Sequence, residues 1–147
     1  MKDHLDKLAV DFNTHSFIEN DPVQFPHQYS ERNDIEIVSF LVATIAWGKR
    51  SMILNSATKM LNIMGKSPYD FIMSDGFKNL DPNKCVHRTF FNRDLIYYCN
   101  GLKHIYNDYQ NIENVFAKDN NHDTWQGIHN FRDCIRQANN GVTSIHI

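Results

Sequence analysis

The residues that come nearest to a known chemistry are Gly48-Lys49-Arg50-Ser51, because Gly-Lys followed by a hydroxyl residue closes the phosphate-binding loop of many nucleotide enzymes. That loop needs an earlier glycine, a strand before it and the hydroxyl directly after the lysine. Here Ala43 stands at the glycine position, Ser51 comes one place late and the preceding run reads as a helix. Nucleotide binding is set aside. A milder chemistry survives, in which Lys49 and Arg50 meet an anion such as a nucleic-acid phosphate and Trp47 offers a stacking surface. The competing reading makes Trp47 core, Gly48 a helix end and both cations merely solvated.

Lys84, His87, Arg88 and Arg93 form a second basic cluster, interleaved with Phe90 and Phe91. Cations for phosphates beside rings for bases suit single-stranded or distorted nucleic acid. The alternative is that the phenylalanines anchor a loop in the core while the charges keep its outside wet. Cys85, His87 and His104 fit neither paired-cysteine nor His-x3-His spacing, and the eight histidines are scattered, so no metal site is expected. No cofactor is expected either. Cys99 and Cys134 fall on apolar helix faces and do not look activated, and no Gly-x-Ser-x-Gly motif occurs. Asp34, Glu36, Asp70, Asp94, Asp108 and Asp133 read as caps or exposed residues, with no acid–base pair among them. No complete catalytic constellation is visible, which leaves enzymatic activity undecided and the catalytic residues unknown.

The elements that must carry these residues are helical. Leu5, Leu8, Ala9 and Phe12 mark an amphipathic first helix, stopped at Asn13-Thr14-His15. Asp21-Pro22 opens a single turn before Pro26. Ile35, Val38, Leu41, Val42 and Ile45 predict a central helix capped by Asn33 or Asp34 and ended by Gly48; Ile53, Ala57, Met60, Leu61 and Met64 predict the next, closed by Gly65. Together they make an αα-hairpin. Ser67-Pro68-Tyr69-Asp70 starts a short helix to about Ser74, and Asp75 to Asn92 reads as a packed loop. Leu95 to Tyr109 is a long helix capped by Asn92 that must tolerate Gly101, continued briefly over Ile112 to Ala117. After the polar break Asp119 to His122, the residues Trp125, Ile128, Phe131, Cys134 and Ile135 define the last helix. The tail Val142 to Ile147 is the one candidate for a short strand. The expected fold class is all-α, an irregular or orthogonal bundle of about six to eight helices.

At 147 residues the chain has room for one domain. Fifteen basic and 17 acidic residues give a net charge of −2, which excludes a protein that grips phosphates over its whole surface and confines any such contact to a local patch. Three unpaired-looking cysteines and the lack of a secretory leader or long apolar run point to the cytoplasm and away from membranes.

Asp21-Pro22-Val23 followed by Phe25-Pro26-His27, then Asp34 to Arg50, Met64 to Ile72, His87-Arg88 and Asn92-Arg93-Asp94-Leu95 resemble a bacterial family without an assigned activity, over most of residues 21 to 118. That family is itself distantly similar to helix-hairpin-helix base-excision DNA glycosylases. Residues 1–147 are read either as a single helical domain or, as the resemblance implies, as the N-terminal portion of a larger helical protein. The resemblance also implies DNA repair as a field of activity. The glycosylases' Pro-Gly-x-Gly hairpin is missing here, so their catalytic lysine and aspartate map to no residue, and only the αα-hairpin Asp34 to Gly65 resembles their early helices. The expectation is a DNA-binding lobe using Trp47, Lys49, Arg50, His87, Arg88 and Arg93. The alternative is a non-catalytic interaction or scaffold module that docks a protein partner, or a second copy, through the loop Asp75 to Asn92.

Overall fold

The computed structural model describes residues 1–117 and 123–146, and among these the chain forms eight α-helices, three 3-10 turns and one small hairpin, a mostly helical fold as the sequence predicts. The predicted break at residues 119–122 lies outside the described residues. The order begins with α1 (Lys2–Phe12) and α2 (His15–Glu19), then 3-10 turns at Pro22–Gln24 and Pro26–Gln28, α3 (Arg32–Thr44) and α4 (Arg50–Met64). It continues through α5 (Pro68–Met73), a 3-10 turn at Gly76–Asn79, strands β1 (Cys85–His87) and β2 (Phe90–Phe91), α6 (Asn92–Tyr109), α7 (Ile112–Phe116) and α8 (Thr124–Ala138). No helix among the described residues is long and apolar enough to cross a membrane.

The core forms where the apolar faces of α3, α4 and α6 meet: Ile37, Val38 and Leu41 from the first, Ala57 and Met60 from the second, Leu95, Cys99, Leu102 and Ile105 from the third. Helix α6 buries ten of its residues. Two of the polar groups on its buried side have partners that fix the helix in place. Asp94 accepts from the Phe91 backbone N–H at 2.8 Å and so caps the start, while the Tyr106 hydroxyl donates to Glu36 at 3.1 Å. Burial and the Glu36 carboxylate push the Tyr106 hydroxyl far above its ordinary pKa, and burial does the same to the Cys99 thiol, which is a packing group as expected.

Several boundaries differ from the sequence reading. Helix α3 begins at Arg32, and Asp34, placed at a cap or exposed by the sequence, is buried within its first turn. Its Oδ1 accepts from the Tyr69 N–H at 2.8 Å and from the Ser67 hydroxyl at 3.2 Å, which ties the start of α3 to the start of α5. Ser67 caps α5 as predicted, accepting from the Asp70 N–H at 3.1 Å. Helix α3 stops at Thr44, before Gly48, whose positive φ of 101° serves the connection to α4 instead. The expected loop Asp75 to Asn92 holds a hairpin, with β1 and β2 antiparallel and His87 opposite Phe90. Cys85, inside that expected loop, lies on the hairpin's first strand. His15 does not end the helical region, because α2 starts there.

Among the described residues the tail, 142–146, forms no strand. It lies back on α6, where the Tyr97 hydroxyl donates to the Val142 carbonyl at 2.9 Å and the Tyr98 hydroxyl to the His146 carbonyl at 2.6 Å. Trp125 and Ile128, assigned to the apolar face of the last helix, are 69% and 48% exposed; Gly127, Cys134 and Ile135 make its inner face.

Gly101 is the contact point between α6 and α8, since a Cβ there would stand 2.3 Å from Ile135 Cδ1 and 3.0 Å from its Cα. An isolated helix would gain about 1 kcal/mol from Gly→Ala. In this chain Gly101→Ala instead forces the two helices apart, a loss of about 1–3 kcal/mol. Urea unfolding should therefore show a lower midpoint for the variant, and a raised midpoint would show that α6 and α8 do not approach so closely.

Candidate nucleic-acid interface

The connection between α3 and α4 and the tip of the hairpin are forty residues apart in sequence and adjacent in space. The link is His87, only 2% exposed, whose Nε2 lies 2.9 Å from the Trp47 carbonyl oxygen and whose Nδ1 lies 3.0 Å from Ser56 Oγ on α4. A carbonyl oxygen only accepts, so Nε2 carries the proton and donates; in the neutral ring Nδ1 then accepts from the Ser56 hydroxyl. The Trp47 ring meets the His87 ring edge-on with centroids 5.2 Å apart. His87 therefore acts inside the protein, holding the turn, and neither ring nitrogen is free for a phosphate.

Beyond His87 the hairpin turns through Arg88, which has a left-handed backbone with φ of 52°. For a residue with a Cβ that conformation costs about 1–2 kcal/mol. The turn places the Arg88 guanidinium 4.9 Å from the centroid of the Trp47 ring. Gly48 makes room for it: a Cβ at that position would lie 2.6 Å from Arg88 Nη1. The need for glycine here comes from its φ, since the guanidinium tip of an exposed arginine could move aside for a Cβ.

Lys49 is the residue before α4, and no side chain caps that helix end. Lys49, Arg88 and Arg93 are exposed, with no acidic partner within ion-pair distance among the described residues. Arg50 differs, lying 3.8 Å from Asp21 Oδ2. Next to it a cavity of about 450 Å³ opens between the Pro22–Gln24 turn, α3 and α4, with Asp21, Ser39, Gly48 and Arg50 among its lining residues.

The structure thus joins Trp47, Lys49 and Arg50 to His87 and Arg88, two groups that the sequence presents separately. Arg93 is not at this corner. It stands at the base of the hairpin, its guanidinium 4.3 Å from the centroid of the Phe91 ring. Phe90 is fully buried and stacked on Tyr98, with ring centroids 6.0 Å apart, so it anchors the hairpin and cannot reach a base. Ser56 was missed by the sequence reading. Its signal was its place three residues after Ile53 and four before Met60, on the inner edge of α4. Among the described residues no three His, Cys, Asp or Glu side chains gather as metal ligands.

Nothing among curated proteins or solved structures matches the chain. A family model does, over residues 21–147, leaving out α1 and α2 and taking in every residue of this corner. The chain belongs to the family described as a protein of unknown function, DUF2400.

Proposed function

We propose that this chain is a nucleic-acid-binding helical lobe, the DNA-contacting part of a base-excision repair protein related to the helix-hairpin-helix glycosylases, without a complete active site among its own residues. The observation that carries the reading is the strained Arg88 held over Trp47. Backbone strain at an exposed arginine gains nothing for the core, and it persists because the buried His87 clamps the turn that shapes it. The product is a guanidinium on an aromatic face beside the exposed Lys49, a pairing that lets cations meet phosphates while a ring meets a base. Arg50 adds to the same corner once a phosphate competes with Asp21, and Arg93 extends the contact along the hairpin base. His87 is a positioning residue.

The test is fluorescence anisotropy of a labelled duplex containing an abasic site, titrated with the chain at several salt concentrations. Binding should weaken steeply with salt, by about 0.9 in log–log slope for each phosphate contacted. Lys49→Ala and Arg88→Ala should each weaken binding and flatten that slope by about one. Unchanged affinity in the double variant would remove this corner from any nucleic-acid role.

Arg88→Gly separates function from stability. Relief of about 1–2 kcal/mol of backbone strain is offset by about 0.5–1 kcal/mol of glycine entropy and about 0.5–1 kcal/mol of cation–π contact. Its unfolding free energy should stay within about 1 kcal/mol of the parent while DNA binding falls as in Arg88→Ala. His87→Ala should do the reverse in part, losing about 2–4 kcal/mol by stranding the Trp47 carbonyl and the Ser56 hydroxyl, and weakening binding through the loosened turn. His87→Gln, with one donor and one acceptor, should recover much of both. Recovery of stability without recovery of binding would mean that the ring positions nothing outside the core.

A further inference from the structure

Helix α1 presents a physical problem. It has eleven residues and none of them is buried, whereas helices shorter than about 12–15 residues are marginal in water without a surface to pack on. Leu5, Leu8 and Phe12 lie on one face, and Leu5 and Phe12 are 57% and 56% exposed. Two lysines against three aspartates leave the helix net negative, unlike the basic helices that lie on anionic membranes. Within its own chain the helix makes an edge-on contact between Phe12 and Phe17 of α2, ring centroids 6.1 Å apart, and its apolar stripe is only partly covered, Leu8 being half-buried while Leu5 and Phe12 are exposed.

The same chain also has an apolar concavity without a lid. Helices α3, α7 and α8 enclose an open groove of about 590 Å³ walled by Ile35, Phe40, Ile112, Phe116, Ile128 and Phe131. The two carboxylates on its edge are already engaged. Glu36 takes the Ile112 N–H at 2.9 Å and the Tyr106 hydroxyl, and both Glu36 and Glu113 pair with Arg32. What the groove presents to a visitor is hydrocarbon and aromatic surface, the counterpart of an amphipathic helix with anchors at i, i+3 and i+7.

We propose that α1 of a second copy fills this groove, in a reciprocal exchange that makes a two-fold dimer. Leu5 to Phe12 spans about 10 Å along the helix, enough for its three anchors to lie over the aromatic wall. Exchange doubles the contact, because each partner gives one helix and receives one. A specific interface needs roughly 1,000 Å² in total, so each helix–groove contact has to supply only about half of it. A two-fold arrangement also closes on itself, leaving no free groove or helix to propagate a filament.

Sedimentation velocity of the full chain over a wide concentration range tests this, with circular dichroism of each variant as a check on folding. The expected result is a monomer–dimer equilibrium. Phe12→Glu on the helix and Ile128→Glu in the groove, both at exposed positions, should each raise the dimer dissociation constant at least tenfold with native circular dichroism. Mixing Leu5→Lys/Phe12→Lys chains with Ile128→Glu chains should restore a heterodimer. A monomer at every concentration overturns the proposal, as does a dimer indifferent to Phe12→Glu. A monomer whose α1 amides lose protection in Ile128→Glu would show docking onto the chain's own groove, and overturns it too. So would a monomer whose α1 becomes protected only on phosphatidylglycerol vesicles.

Discussion

Everything else in the structure is arranged around the burial of α6. Ten of its eighteen residues are buried and only a narrow stripe that includes Arg93, Asn107 and Asp108 meets water, so its neighbours come from several directions: α3, α5, α8, the tail and, at its start, the hairpin. Such a helix tolerates polar groups only if each finds a partner. Tyr97 and Tyr98 find carbonyls of the tail, Tyr106 finds Glu36, and Asp94 finds the Phe91 backbone. At Gly101 the demand is for space, and the missing side chain lets α8 come within contact of the α6 backbone. A residue that weakens the helix by itself is what allows its most intimate packing.

The hairpin follows from that arrangement. Phe90 is pressed against Tyr98 on α6, and pairing across the hairpin sets His87 opposite Phe90, facing α4. Once His87 is inside, its two nitrogens need one acceptor and one donor, and the Trp47 carbonyl and the Ser56 hydroxyl supply them. The position of the α3–α4 connection is therefore set by a side chain forty residues further along the chain. The exposed corner at Trp47 and Arg88 is a consequence of core packing two layers below it.

This also explains what the sequence could and could not reveal. Helices α3, α4, α5 and α6 were legible because their apolar residues repeat every three to four positions and Ser67, Pro68 and Gly65 mark their ends. The hairpin was not, because three residues paired with two are too few to show alternation and the turn Arg88-Thr89 lacks the Asn-Gly signal. Periodicity found α1 but says nothing about what covers its apolar face. It misplaced Trp125 and Ile128 for the same reason, since an amphipathic pattern gives a direction and not a neighbour. Trp47, Lys49, Arg50, His87 and Arg88 were each visible as residue types, yet their union was not. It depends on His87 pointing inward, and the basic residues around it disguise it as one more surface cation.

Net charge is a similar case of a correct average that hides its distribution. Seventeen acids against fifteen bases speak against broad electrostatic capture of nucleic acid, but several of those acids are spent internally. Asp34 and Asp94 are buried on backbone N–H groups, Glu36 holds α7 and Tyr106, and Asp75 sits between Lys78 and Lys103, which hold its carboxyl below the usual carboxylate range. A carboxylate bonded to N–H donors is partly neutralised and projects little field outward. At the hairpin tip the balance is the opposite, because Lys49 and Arg88 face solvent and only Arg50 has an acid beside it, at 3.8 Å. The field that a phosphate meets is set by charges within about a Debye length, roughly 8–10 Å at physiological salt. Lys49, Arg50 and Arg88 outnumber Asp21 among the residues named at this corner, so a weak overall charge and a local phosphate contact are compatible. The same short range dictates that such binding would collapse as salt rises.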